Sequence, residues 1–597
     1  MGLKPKQLYE RVLLWLMVIT RRLTARQLTF ILAIVVGLAA GGMTCVFEWL
    51  LEVIKSGLTS WFKVDNVGWL YLIYPAVGIV LTTLFVKYIV KDDISEGVAK
   101  VLKAMSTDSS RIKPHNSYSS VVAGALTIGF GGSVGPEAPI VLTGGAIGSN
   151  IGRIMRLNYR NTTLMLACGV AAALSAIFKA PITGVIFVLE VLMLDISMTA
   201  IIPLIISSVT AVLLVFFVRG FEPLLSVDLV GVFKLSHLPV YAVMAVASGL
   251  VSYYFTKMNF SIKARYARLK TEWQRWIVGG LTIGILVFLF PPLYGEGYSA
   301  FGNLMTGSVD FIFNNSLLYD FRNIEWVVVL YMVVLMLIKV VATAATTSAG
   351  GVGGTFAPSL FVGAFVGATI AYICNTWLGM HLSIAACSLV GMAGIMSGVM
   401  KAPLTSVFLI AEISNGYQLF VPLMLVSCIS FVIDRYFEPD SIYTKQLRKK
   451  GQLLTHDKDQ AISVILSIKP LIETDFTPVS DSDTLGDMVV HIIPHTRRNL
   501  FPVVDAEGKF QGVILFDALR KDMFDTKKYP NSVKRYMTPA PDTLDPAESA
   551  SSVLEKFESS DAWNLPVVDR DGRYVGFISK SHILEAYRSK LKEMSQE

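Results

Sequence analysis

Through the first 440 or so positions, apolar residues come in long unbroken runs instead of at amphipathic intervals. Runs suited to a hydrocarbon layer fall at 30–51, 67–90, 198–218, 238–254, 276–290 and 326–338; several are short for a complete span of about 20 residues. Between them, 121–176 and 348–403 are equally apolar but dense in Gly, Pro and Ala. That pattern predicts broken helices enclosed by protein, because backbone lacking hydrogen-bond partners is not tolerated against lipid. After Tyr443 the pattern changes to alternating strands and amphipathic helices with ordinary charge, which predicts an attached α/β tail.

The glycine-rich segments repeat. GGSVGPEAPIVLTGGAIG at 131–148 aligns with GGVGGTFAPSLFVGAFVG at 350–367, and KAPITGVIFVLE at 179–190 with KAPLTSVFLIAE at 401–412, in the same order and at nearly the same offset. The membrane part is therefore a duplication, roughly 28–220 and 238–437. The tail repeats too, NLFPVVDAEGKFQGVI at 499–514 lying over NLPVVDRDGRYVGFI at 564–578. The organisation expected is an amphipathic cytoplasmic segment 1–27, membrane repeats 28–220 and 221–443, a linker 444–465, and tail units 466–525 and 526–597.

Matched interruptions in a duplicated membrane domain point to a transport site where the repeats meet. The start of a half-helix offers free N–H groups and the positive end of the peptide dipoles, which favour an anion. Glu137, inside GPEAP, is a carboxylate among membrane-grade apolar residues, and such residues usually mark function. Glu190 and Glu412, at equivalent ends of the two KAP segments, read as structural acids that satisfy nearby helix ends.

With these motifs the chain resembles the CLC family of chloride channels and proton-coupled chloride antiporters over nearly its whole length. The tail resembles a tandem pair of cystathionine β-synthase (CBS) domains, a fold that often binds adenine nucleotides. The resemblance implies an α-helical polytopic membrane protein with duplicated, inverted-repeat half-domains and broken helices, followed by an α/β CBS-pair cytoplasmic domain. It also implies a homodimer whose ion is chloride.

The family's first pore loop, G-x-E-G-P, fits Gly135, Pro136, Glu137, Ala138 and Pro139. The competing match GSVGP at 132–136 would put Val134 at the acid, and is set aside because the internal repeat puts Glu137 opposite Phe356. By resemblance Glu137 is the gating glutamate. The second loop, with Gly353, Gly354, Ala357 and Pro358, lends the amides of Thr355 and Phe356 to the central anion, and the Tyr443 hydroxyl binds the same ion from the inner side. Where the family shows G-S-G-I-P this chain has SEGVA at 95–99, so either Ser95 or Glu96 holds the fourth position. An ionised carboxylate 4 Å from chloride would be repelled by about 4 kcal/mol at an effective dielectric near 20, which ranks Ser95 ahead. Antiporters of the family commonly carry a second, proton-relaying glutamate where this chain has Val191. Valine does not titrate, which favours a passive channel over the antiporter that remains its alternative.

Composition narrows the remaining classes. The chain is 53% hydrophobic and 16% charged, too apolar for one soluble globule. Basic residues at the start and in LRKKG at 447–451 place both ends in the cytoplasm of a multi-pass cell-membrane protein in contact with lipid, and no cleavable signal is evident at the start. The net charge of +7 reflects that bias, and no nucleic-acid motif accompanies it. The five cysteines, none after Cys428, do not suggest a disulfide scaffold. Seven scattered histidines offer no metal-ligand spacing and no enzyme; His491 and His495 would share a helix face but for Pro494. No cofactor is required. ATP, ADP or AMP at the CBS pair is doubtful: the Ser/Thr-x-x-Asp pattern for ribose becomes Leu515 with Ala518, and Ser579 with His582. A divalent-cation transporter is the reading from another class, but it needs acids facing the ion where this chain offers glycine amides and helix starts.

Overall fold

The computed structural model describes residues 24–61, 70–106, 108–193, 198–221, 225, 234–307, 309–314, 316–414, 417–449 and 468–595. Most of the expected amphipathic segment 1–27 and most of the expected linker 444–465 lie outside the described residues. Two compact units are present, 1–453 and 454–597.

The first half of the membrane unit runs α1 (Ala25–Trp61), α2 (Leu70–Leu84, continued by a wider π turn), α3 (Gly97–Ser106), α4 (Asn116–Gly129), α5 (Glu137–Ile154), α6 (Tyr159–Phe178), α7 (Pro181–Val191) and α8 (Met198–Arg219). The second runs α9 (Leu238–Ala267), α10 (Glu272–Leu289), α11 (Tyr298–Leu304), α12 (Glu325–Ser348), α13 (Phe356–Leu378), α14 (Ile384–Met400), α15 (Pro403–Ile413), α16 (Phe420–Phe437) and α17 (Thr444–Lys449). Among the described residues, eight helices are long and apolar enough to cross a membrane. The run expected to stop at 254 continues to Ala267 as one 30-residue helix. Lys257, Asn259 and Lys263 interrupt its apolar pattern, while the buried Phe255, Ile262 and Tyr266 carry the helix on.

The duplication is visible in the backbone. The helices α5 and α13 begin at aligned positions, Glu137 and Phe356. Each is preceded by a left-handed glycine, Gly131 (φ 92°) and Gly350 (φ 108°), and the helices that follow end at left-handed lysines, Lys179 (φ 54°) and Lys401 (φ 58°). A Cβ on Gly148 would lie 1.9 Å from the Met165 carbonyl oxygen, and one on Gly367 1.9 Å from that of Cys387. Glycine at these two places lets α5 lie directly on α6 and α13 on α14, as small residues do between membrane helices.

In the tail, β1 (Val479–Ser480) pairs parallel with β2 (Leu500–Val504), which pairs antiparallel with β3 (Phe510–Leu515). The second unit repeats that hairpin as β4 (Asn564–Val568) and β5 (Tyr574–Ser579), with a register irregularity at the same place, Val503/Val504 and Val567/Val568. Three apolar clusters result among the described residues, one of them joining Phe476, Leu500 and Val513 to Phe577, and the other two exchange segments across the expected 525/526 boundary. Val533 and Tyr536 pack with Val479, Phe501 and Ile514, while Ile468 and Leu471 pack with Leu544, Leu565 and Ile578. The helical turn carrying His491 is a π turn that passes into a 3-10 turn at Ile493, just before Pro494.

At 1.5 Å per residue the 11-residue helices α7 and α15 reach only about 16 Å, against a hydrocarbon core of about 30 Å. Their N-termini therefore need partners at membrane depth. Glu412, near the end of α15, accepts from the amides of Ile182 (3.0 Å) and Thr183 (2.8 Å) and from the Thr183 hydroxyl (2.6 Å). Glu190, near the end of α7, accepts from the amides of Leu404 (3.1 Å) and Thr405 (2.8 Å) and from the Thr405 hydroxyl (2.7 Å). Each half-helix thus caps the other, as expected of two structural acids. Glu412→Ala leaves three donors unmet and is expected to destabilise the membrane unit by about 3 kcal/mol, with Glu412→Gln intermediate. Thermal unfolding in detergent measures this, and Glu190→Ala should match it.

Candidate functional site

The two glycine-rich loops meet each other. Gly135 donates to the Gly354 carbonyl at 2.9 Å and Gly354 to that of Gly135 at 2.8 Å, an antiparallel bridge between the repeats. Pro136 is the N-cap of α5 and Thr355 that of α13. Glu137 is buried, and its Oε1 accepts the Ala357 amide at 2.6 Å. Its Oε2 has no hydrogen-bond partner among the described residues. A Cβ on Gly135 would lie 2.1 Å from that Oε2, so glycine is what lets the carboxylate fold back over the loop. Pro139 packs under α4, close enough that a Cβ on Gly124 would meet its ring, and the Phe356 ring stacks on Phe178, centroids 5.1 Å apart. At the head of α13 the carboxylate takes the Ala357 amide, one residue past the Thr355 and Phe356 expected to serve the central anion.

Below this bridge is a cavity of about 260 Å³ lined by Ser95, Glu96, Ala138, Gly353, Gly354, Thr355 and Tyr443, among others. Tyr443 is buried and reaches the Thr355 side chain. The candidate residues scattered from 95 to 443 along the chain thus come to one place. The cavity also carries two cations absent from the sequence expectations, Lys263 of α9 and Arg275 of α10; Arg275 donates to the Leu269 carbonyl at 3.1 and 3.2 Å. Cations focused in a cleft draw anions into it. No motif flags them, since both fall in the basic stretch 257–275 beside Lys257, Arg265, Arg268 and Lys270 and read as membrane-surface charge. Ser95 and Glu96 both face the cavity, but the Ser95 hydroxyl is donated to Asp93 Oδ1 at 2.6 Å.

Two candidates lie apart from this cluster. Val191, the last residue of α7, is buried in the apolar core and lines no part of the cavity. Ser579 belongs to the tail, where its hydroxyl donates to Glu473 Oε1 at 2.9 Å. The same Glu473 takes Arg498 at 2.5 Å on its other oxygen, and His582 Nδ1 stands 3.4 Å away.

Residues 78–435 match the family model described as voltage gated chloride channel, and residues 533–589 that of the CBS domain. A putative chloride channel protein ClcB-like of Ralstonia nicotianae is 26% identical over 414 residues, which is 67% of this chain and 91% of the relative. The voltage-gated ClC-type chloride channel ClcB of Escherichia coli is 28% identical over 336 residues, 55% of this chain and 75% of the relative. Among solved structures, a slow cyanobacterial Cl⁻/H⁺ antiporter superposes with a TM-score of 0.61 at 23% identity, covering 72% of this chain and 98% of that one. A eukaryotic CLC transporter gives 0.61 at 16% identity, covering 94% of this chain and 99% of that one. At these identities the likeness shows a shared fold.

Asp92, three residues before the cavity residue Ser95, carries its own cluster of basic partners. Its carboxylate pairs with Lys100 of α3 at 2.7 Å and with Lys113 at 2.9 Å, and His115 Nε2 stands 3.3 Å away. Burial opposes the charge, but the two lysines outweigh it and hold the carboxyl at about 2, below the ordinary 3.8. A depressed folded-state value means stability that is present above the unfolded value and is lost as pH falls through the folded one. Unfolding temperature in detergent should therefore drop as pH goes from 4 to 2. In Asp92→Asn it should be lower at neutral pH and fall less steeply over that interval.

Proposed function

The chain belongs to the voltage gated chloride channel family, and on that premise we propose that it conducts chloride across the cell membrane through a pore closed by the Glu137 carboxylate. The observation that carries this is the bond from the Ala357 amide to Glu137 Oε1 at 2.6 Å. A helix start that holds a carboxylate suits a permeating anion equally, and the two cannot share one donor. Protonation removes the charge that competes, so acid opens the path. Thr355, Phe356 and Tyr443 are the proposed central anion ligands, with Lys263 and Arg275 of the same cavity concentrating chloride on the cytoplasmic side. Both chain ends would then lie in the cytoplasm. The apolar exposed side chains of α7, α8, α15 and α16, such as Ile182, Leu213, Leu404 and Val421, suit the interface of a homodimer.

Passive conduction is the reading that Val191 supports, since a buried valine carries no proton. One observation favours the antiporter instead: Glu96 puts a titratable carboxylate in the Tyr443 cavity, a different place from Val191. The reversal potential of the purified protein in bilayers under crossed chloride and proton gradients separates the two. A value at the chloride equilibrium potential is expected, and a displacement toward the proton potential would establish exchange. Flux through Glu137→Gln should no longer depend on pH, and flux of magnesium in place of chloride would sink the anion reading.

For the tail we propose a regulatory role with weak or absent nucleotide binding. Ser579, the residue best placed for a ribose, already gives its hydroxyl proton to Glu473. A ribose would have to displace that bond, and His582 adds no second carboxylate to hold it. Calorimetric titration of the whole protein with ATP, ADP and AMP should show no micromolar binding. Micromolar binding abolished by Ser579→Ala would overturn this.

A further inference from the structure

Behind the first pore loop lies a second set of buried polar residues, none of which lines the Tyr443 cavity. Lys339, midway along α12, is fully buried. Its ammonium donates to Ser133 Oγ at 2.8 Å and to the carbonyls of Gly295 at 3.0 Å and Leu293 at 3.4 Å, and sits 4.9 Å from the centroid of the Phe361 ring. Among the described residues no carboxylate pairs with it directly, so its charge must be offset through space. The carboxylate that acts on it is Glu296, next in the chain to Gly295 and itself only 8% exposed. On its other side Glu296 stands 3.6 Å from Lys55 of α1.

The loop is shaped around this lysine. Gly297 has φ 93°, and a Cβ there would lie 2.6 Å from the Phe361 ring and 3.5 Å from Lys339 Nζ. One residue further, the Tyr298 hydroxyl is buried without a hydrogen-bond partner among the described residues, in the field of Glu137, Glu296 and Glu48. Gly295 donates its amide to the Gly131 carbonyl at 3.2 Å, so the loop of Glu296 lies against the loop of Glu137, and Ser133, which Lys339 grips, lies four residues before Glu137. The groups facing Glu296 are thus Lys55 and Glu48 from α1, Lys339 from α12, Tyr298 from its own loop, and Glu137. Glu48 is itself balanced by Arg219 at 3.5 Å.

We propose that Glu296 is a positioning acid for the gate: its charge, held between Lys55 and Lys339 behind the loop of Glu137, sets the proton concentration at which Glu137 is neutralised. This rests on the reading of Glu137 as the gate. A negative charge nearby favours the protonated carboxyl, and a positive one the ionised form. Removing Glu296 therefore makes Glu137 harder to protonate, and removing Lys55 makes it easier.

The test is chloride efflux from liposomes holding the full-length protein, as a function of external pH, for wild type, Glu296→Gln, Glu296→Asp, Lys55→Gln and Glu137→Gln. Half-activation of Glu296→Gln is expected at roughly tenfold higher proton concentration than wild type. Glu296→Asp should return most of the way, Lys55→Gln should shift the opposite way, and all three should reach wild-type flux at saturating acid. With Glu137→Gln flat, an unmoved midpoint in Glu296→Gln, or a shift of the wrong sign, overturns the role of Glu296 and leaves the gate intact. If Glu296→Gln does not fold, the sign of the Lys55→Gln shift decides in its place. A wild-type pH curve in Glu137→Gln removes the gate assignment and this proposal with it.

Discussion

The constraint on which this structure turns is that the first amides of a helix have no partner within their own helix. Where the helix starts inside a membrane, those amides cannot be left to water. At three such starts the protein answers with a carboxylate. Two of the answers are permanent: Glu412 on α7 and Glu190 on α15 each take two amides and one hydroxyl. The third is sparing, since Glu137 takes the single Ala357 amide on one oxygen while the other has no partner. Charge-assisted bonds add up, so the carboxylates at two helix starts are held by three donors each and the one at the third by a single amide.

The third site also differs in its setting. The bridge between Gly135 and Gly354 fixes the head of α13 against the head of α5 without any side chain between them. The carboxylate is thereby confined to one short arc over the loop. On the cavity side the surroundings are hydroxyls and cations, Thr355, Tyr443, Lys263 and Arg275. Behind the loop a lysine and a glutamate are buried together. The Glu137 carboxylate thus has different surroundings on its two sides, hydroxyls and cations toward the cavity and the Lys339 and Glu296 cluster behind the loop.

Much of this could be read from the sequence, because the duplication supplied an internal control. The alignment of 131–148 with 350–367 set Glu137 opposite Phe356, the two residues at which α5 and α13 begin, and the matched acids Glu190 and Glu412 announced their capping role. What escaped had no periodicity or motif to carry it. Lys339 and Glu296 are single charged residues in apolar segments, Lys263 and Arg275 are two among the several basic residues of 257–275, and only the crossing of distant helices gives each its neighbours. That the Ala357 amide would take the Glu137 carboxylate was not legible, because a motif names the loop but not the angle at which the carboxylate folds back. In the tail the hairpins were plain, whereas the exchange of Ile468 and Val533 between cores depends on long-range packing that a linear boundary cannot express. At Ser95 the sequence could not show that Asp93, two residues away, would take the hydroxyl proton.

The reciprocal caps also order events in time as the chain is made. When α7 leaves the ribosome, the carboxylate that completes its N-terminus lies 229 residues ahead. Until Glu412 has been synthesised and inserted, the amides of Ile182 and Thr183 must borrow other partners, from water, lipid headgroups or the insertion machinery. Glu190, by contrast, is already made when the start of α15 it caps emerges, so of the two reciprocal caps only that of α7 must wait for the second half.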